Sequence, residues 1–184
     1  MRVLMLSGGL DSCVCLYRDT FDLALCIDYG QPHIAEVHRA KSIAAGRGVP
    51  FEIVRVGWSV QPTVGLLGGH DTTPDLAVVP GRNALFVGLA ACRGATRVTL
   101  GCNADDYAAF ADCRPEVLGP VAAACGVQLD LPLAGMTKAQ VIALAREIGA
   151  PAAVAMSCYR GRHPGCGECA ACVLRDSATP SDDP

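Results

Sequence analysis

The sequence predicts a doubly wound α/β fold, a mostly parallel sheet with helices on both faces. Three observations predict it. Short apolar runs alternate with helical stretches along most of the 184 residues, as successive βαβ units require. Residues 23–27 (Leu-Ala-Leu-Cys-Ile) are apolar without interruption, as expected of a strand buried on both faces. Finally, the polar, glycine-bearing segments 7–12, 28–31 and 101–107 each follow a predicted strand. In such sheets that carboxyl edge is where ligands sit.

The first strand is residues 1–6, and Ser7-Gly8-Gly9-Leu10-Asp11-Ser12 follows it at once. Cys13-Val14-Cys15-Leu16-Tyr17 then continues as a helix. Gly8 and Gly9 tolerate positive φ and close approach of an anion to the backbone. Amides of the loop and first helical turn would point at that anion, with the helix dipole behind them. Ser7 and Ser12 add hydroxyl donors, and Asp11 is placed to cap the helix or hold a metal-bound water. No Gly-Lys-Ser/Thr follows, so the loop is not of the Walker type.

Residues 33–47 predict a helix with Ile34, Val37, Ala40 and Ala44 on one stripe, stopped by Gly46, Gly48 and Pro50. Residues 51–56 predict a third strand. Residues 57–80 have no period and are expected to be a long loop of the kind that forms lids or binding loops. Within it Trp58 is expected to pack, and His70 and Asp71 to be solvated. Gly81-Arg82-Asn83 opens an apolar helix to about residue 93, and residues 98–100 form a fourth strand. A helix over about 114–125 and a short strand at 127–129 follow. Thr137-Lys138-Ala139-Gln140 has capping-box spacing, and Val141, Leu144, Ala145 and Ile148 give the last helix its apolar face, closed by Gly149 and Pro151. No internal repeat or interdomain linker is visible. Residues 1–175 therefore read as a single domain, with a disordered Ser/Asp/Pro-rich tail at 176–184.

With 51% hydrophobic and 18% charged residues the chain is globular and not disordered. A net charge of −3 argues against a wide phosphate-tracking surface, so no direct nucleic-acid binding is expected. No apolar run is long enough to span a membrane or serve as a signal peptide, which predicts a cytoplasmic protein. In that compartment most of the eleven cysteines should be thiols. Cys13, Cys15, Cys26, Cys92, Cys102 and Cys125 lie in apolar or Ala-rich stretches and are expected in the core.

Cys158, Cys166, Cys169 and Cys172 differ from these. Their Cys-x7-Cys-x2-Cys-x2-Cys spacing, with Gly165 and Gly167 for tight turns, suits four tetrahedral sulfur ligands. Zinc is the expected metal and an iron–sulfur cluster the alternative. Four thiolates would close the site, making it structural.

The first loop resembles the pyrophosphate loop of ATP pyrophosphatases. The whole chain resembles the 7-cyano-7-deazaguanine synthase family. The matching stretches are residues 7–12, Asp28-Tyr29-Gly30-Gln31-Pro32-His33, Val79-Pro80-Gly81-Arg82-Asn83, Asp112-Cys113-Arg114, Pro132-Leu133 with Lys138-Ala139, and Ser157-Cys158-Tyr159 with residues 166–175. The resemblance implies a ligase that activates 7-carboxy-7-deazaguanine with ATP and converts it with ammonia through an amide to the nitrile. It implies that Ser7, Gly8, Gly9, Leu10, Asp11 and Ser12 bind ATP with Mg²⁺. Asp11, Arg82 and Lys138 become the expected catalytic residues, and Tyr29, Gln31, His33, Asn83 and Asp112 the expected substrate contacts. The cysteine knuckle becomes a Zn²⁺ site. The family commonly dimerises, although no helical stripe here establishes a homodimer.

Residues 103–111 depart from the family's Glu-Thr-Asp-Phe-Ser-Gly pattern: Ala104 replaces the acid, and Ala108-Ala109 the Ser-Gly pair. That leaves an amide-only product open. A silent zinc-stabilised nucleotide-binding domain is disfavoured by the intact first loop. A tRNA-thiolating relative is disfavoured by the absence of a basic face.

Overall fold

The computed structural model describes residues 1–30, 34–57, 79, 81–151, 165–168 and 172–173. Among these residues five strands, β1 (Arg2–Met5), β2 (Leu23–Asp28), β3 (Phe51–Arg55), β4 (Arg97–Thr99) and β5 (Gln128–Asp130), form one sheet in the order β3-β2-β1-β4-β5. Every pairing is parallel. The helices are α1 (Leu10–Arg18), α2 (Ile34–Gly46), α3 (Arg82–Cys92), α4 (Asp106–Ala109), α5 (Pro115–Ala124) and α6 (Lys138–Glu147).

Strand alternation builds two cores. Leu4, Leu6, Ala24 and Cys26 pack with α1, α2 and α6, while Val3, Met5, Leu25 and Ile27 pack with α3 and α5. The central strands are thus buried on both faces, which is why they read as unbroken apolar runs. The order reverses between β1 and β4: the chain moves outward to β2 and β3 on one side, then to β4 and β5 on the other. A doubly wound sheet opens a crevice at this point, outside the carboxyl ends of the strands.

Two cysteine expectations are corrected. Cys13, Cys15, Cys26 and Cys102 are buried, but Cys92 and Cys125 are exposed. Cys92 ends α3 and Cys125 follows α5, just before the chain turns out through Gly94 (φ 81°) and Gly126 (φ 68°). An apolar neighbourhood in sequence did not carry to the helix ends. The segment after β4 also holds more structure than the loop it reads as, with α4 and a 3₁₀ turn at Ala111–Cys113. Trp58, His70, Asp71, Gln31, His33, Cys158, Cys169 and residues 176–184 lie outside the described residues.

Candidate active site

Backbone packing shapes the loop after β1. Gly8 has φ 88°, and a Cβ there would lie 2.3 Å from the carbonyl oxygen of Glu36 in α2. Gly101, just after β4, would place a Cβ 2.9 Å from Asp11 C and Ser12 N. Only glycine allows three main-chain segments to meet so closely. The Ser12 hydroxyl donates to the Gly9 carbonyl at 3.0 Å and lies 3.1 Å from the Ser7 hydroxyl, which accepts the Gly9 N–H at 3.2 Å. Gly9 precedes α1 without a side-chain cap. The first-turn amides therefore face the crevice with the positive end of the helix dipole behind them.

Asp11 lies in the first turn of α1, and it does not act as the cap. Its carboxylate accepts both Lys138 Nζ contacts, at 2.8 Å on Oδ1 and 2.6 Å on Oδ2, and the Asn103 amide at 3.1 Å on Oδ1. The pair is largely buried, with side-chain exposures of 14% for Lys138 and 22% for Asp11, so solvent screens it weakly. Lys138 is the first residue of α6, after Thr137, and the expected capping box with Gln140 is present. A cation at a helix N-terminus opposes the dipole. Asp11 on its ammonium, and Asp105 Oδ2 accepting its backbone N–H at 2.7 Å, offset that conflict. Burial, and then the nearby Asp11 charge, push the Asp106 carboxyl above its ordinary range.

Arg82, Tyr29, Asn83 and Asp112 form a neighbouring polar group. Arg82 Nη1 donates to the buried Tyr29 hydroxyl at 3.3 Å, and the guanidinium carbon lies 6.0 Å from the ring centroid. Arg82 Nε is buried and has no protein partner among the described residues. Burial opposes its charge, but Tyr29 and Asp112 outweigh that and hold it above its ordinary value. Asn83 and Asp112 are turned toward each other: Asp112 Oδ2 accepts the Asn83 N–H at 3.1 Å, and Asn83 Nδ2 donates to the Asp112 carbonyl at 3.2 Å and to Cys113 Sγ at 3.3 Å. They brace the start of α3 against the 3₁₀ turn. Glu36 joins the two groups, its backbone against Gly8 and its carboxyl within electrostatic reach of Arg82 and Arg39. Burial pushes that carboxyl up to about 7.

The structure therefore brings Ser7, Gly8, Gly9, Asp11, Ser12 and Lys138 together, with Tyr29 and Arg82 alongside. Asn103, Asp105 and Glu36 belong to the site and escaped the sequence reading. An Asn a few residues past a strand, with acids two and three residues on, is a turn signal, but nothing in it points to a partner 92 residues away.

The described part of the cysteine knuckle suits a metal. Cys166 Sγ and Cys172 Sγ lie 3.9 Å apart, far beyond a disulfide bond. Zn–S bonds near 2.3 Å make the S···S edge of a tetrahedral site about 3.8 Å. The spacing of these two sulfurs therefore fits shared zinc coordination.

Comparison with known proteins bears on the chain as a whole. The family model described as "Queuosine biosynthesis protein QueC" matches residues 1–181. The chain belongs to the QueC family. Curated relatives agree: a 7-cyano-7-deazaguanine synthase of Laribacter hongkongensis is 37% identical, over 94% of this chain and 87% of that one. The Thermoplasma acidophilum synthase is 32% identical, over 94% and 84%. Among solved structures, the U34-tRNA thiolase NcsA of Methanococcus maripaludis, with its 4Fe–4S cluster, aligns at TM-score 0.55 and 19% identity, over 97% of this chain and 64% of that one. NMN synthetase of Francisella tularensis aligns at 0.55 and 14%, over 96% and 75%. These two share the fold. The QueC relatives are named as synthases, so this family member is read as an enzyme.

Proposed function

We propose that this protein is an ATP-dependent carbon–nitrogen ligase that makes 7-cyano-7-deazaguanine from 7-carboxy-7-deazaguanine and ammonia. Membership in the QueC family supports the substrate. The structural observation that carries the reading is Asp11 joined to Lys138 and Asn103 across the crevice between β1 and β4. That joint puts a cation and a carboxylate beside a glycine loop built for an anion.

The substrate carboxylate attacks the α-phosphate of ATP and pyrophosphate leaves. Ammonia then displaces AMP to give the amide, and a second ATP drives its dehydration to the nitrile. Amides around Gly8, Gly9 and Leu10, with the Ser7 and Ser12 hydroxyls, would hold the leaving pyrophosphate, whose growing charge such fixed donors stabilise. Lys138 and Arg82 would supply positive charge to the phosphates. Asp11 would hold Mg²⁺, which supplies Lewis-acid stabilisation of the phosphoryl oxygens. Tyr29, Gln31, His33, Asn83 and Asp112 would shape the base pocket, Asn83 and Asp112 by fixing the start of α3. Cys158, Cys166, Cys169 and Cys172 would hold a structural Zn²⁺. On this reading residues 1–175 are one catalytic domain acting in the cytoplasm, without nucleic acid, and compatible with a homodimer.

One observation favours a shorter reaction as a second reading. The altered segment 103–111 begins in the site, since Asn103 touches Asp11. One experiment tests both readings: incubation with 7-carboxy-7-deazaguanine, ATP, Mg²⁺ and ammonium, followed by mass spectrometry. Nitrile with AMP supports the full reaction, and amide alone supports the truncated one. Neither product nor AMP from zinc-loaded, folded protein refutes the ligase.

A further inference from the structure

Asn103 is fully buried, and it spends its side chain in a particular way. Its Oδ1 accepts the N–H groups of Asp105 at 2.9 Å and Asp106 at 3.2 Å, while its own N–H donates to Asp106 Oδ2 at 3.0 Å. Two amides on the oxygen fix the orientation of the side-chain amide, so Nδ2 must face Asp11 Oδ1. The same turn also holds Lys138, through Asp105 on its backbone N–H and the Ala104 N–H on the Met136 carbonyl at 2.9 Å. The two oxygens of Asp11 are therefore unequal. Lys138 Nζ touches both, but Oδ1 is also tied to a buried group in the turn after β4, whereas among the described residues Oδ2 carries the ammonium alone.

We propose that Asn103 is a positioning residue that keeps Asp11 in place while Lys138 is exchanged from Asp11 onto a bound polyphosphate. This rests on the reading of residues 7–12 as a phosphate loop. Paired with each other, the ammonium and the carboxylate are mutually neutralised. A polyphosphate at the loop offers the ammonium a more highly charged acceptor, and a divalent cation arriving with it offers the carboxylate a replacement. The long lysine stem allows the ammonium to swing, whereas Asp11 has a short side chain that must stay aimed. Asn103 supplies that constraint, and a neutral amide does so without competing for the cation.

Lysine is scarce enough in this chain to make the exchange visible, since only Lys41 and Lys138 occur. The experiment is NMR of protein labelled at lysine Cε, assigned with Lys41→Arg and titrated with inorganic pyrophosphate and Mg²⁺. Calorimetry of the same titration reports affinity. In the parent protein the Lys138 signal should move on saturation with pyrophosphate and Mg²⁺, and not with Mg²⁺ alone. Asn103→Ala should weaken Mg²⁺-dependent pyrophosphate binding about tenfold or more, the scale of a lost charged hydrogen bond. Thr137→Ala, which loosens the α6 cap without touching Asp11, should leave that affinity unchanged. Should Asn103→Ala fail to fold, Asn103→Ser carries the same expectation, and the parent titration still decides the exchange.

Pyrophosphate that binds without moving Lys138 would overturn the exchange. Unchanged affinity in a folded Asn103 variant would overturn the positioning role. No pyrophosphate binding to the parent at all would defeat the phosphate-loop reading beneath both.

Discussion

At residue scale the Asp11–Lys138 pair separates stability from activity. Removing either partner should lower kcat/KM for ATP by at least about 100-fold, the cost of losing one fixed charge or donor at a phosphoryl centre. Their effects on stability should differ. In Lys138→Met, Asp11 keeps Asn103 and sits in the first turn of α1, where the dipole favours an anion. In Asp11→Ala, the Lys138 ammonium stays largely buried at the start of α6, where the dipole opposes it. Thermal melts should therefore show Asp11→Ala losing more stability than Lys138→Met. The reverse order would mean that the pair is held by something other than these helix ends.

Glu36 gives a pH-dependent test. Burial, opposed by Arg82 and Arg39, pushes its carboxyl from the ordinary 4.5 up to about 7. The folded protein then holds the proton more tightly than the unfolded chain, so stability is lost as pH rises through that window. A carboxyl that is partly neutral near pH 7 also repels an anion at Gly8 less than a full charge would. Glu36→Gln should gain stability over the parent progressively between pH 4.5 and 7, by no more than about 3 kcal/mol. Parallel melting curves for the two proteins across that range would exclude the effect.

At element scale the glycines decide how the loops meet. Gly8→Ala forces a positive φ on an L side chain and drives a Cβ to 2.3 Å from the Glu36 carbonyl of α2. Gly101→Ala meets only the 2.9 Å contacts with Asp11 and Ser12, at an ordinary φ. Both should destabilise by about 2 kcal/mol or more, Gly8→Ala the further, because main chain cannot move aside as a side-chain tip can. Denaturant melts ranking Gly101→Ala below Gly8→Ala would contradict this. The Gly8 constraint was legible in the sequence, because a glycine pair after a strand is a local signal. Gly101 was legible only as the start of a polar turn, since the α1 backbone it touches is about 90 residues away. The same division holds elsewhere. The capping box at Thr137 and the apolar stripe of α6 depend on nearby residues and match the structure. Asn103 and Asp105 owe their roles to the pairing of β1 with β4 and to the docking of α6, which no local pattern encodes.

At the scale of the whole molecule, the sheet order gathers the loops after β1, β2, β4 and β5 at one edge, so residues spread from 7 to 138 share one crevice. The cysteine knuckle follows α6, whose first residue is Lys138. Of its described members Cys172 is fully buried and Cys166 half-buried, with sulfurs at 3.9 Å. A structural metal there would contribute folding free energy, because unfolded thiols do not preform the site. Among the described residues the two apolar cores draw on the strands and helices up to Ala150, and the sheet is expected to keep its fold without the metal. Purified protein should carry one zinc per chain and lack the visible absorption of an iron–sulfur cluster. Chelation should lower the melting temperature while leaving the far-UV helical signal at 20 °C largely intact. Cys166→Ser should reproduce that loss without chelator and abolish any further effect of it. A colourless, metal-free protein with an unchanged melt would remove zinc from the account, and a brown one would replace it with iron and sulfide.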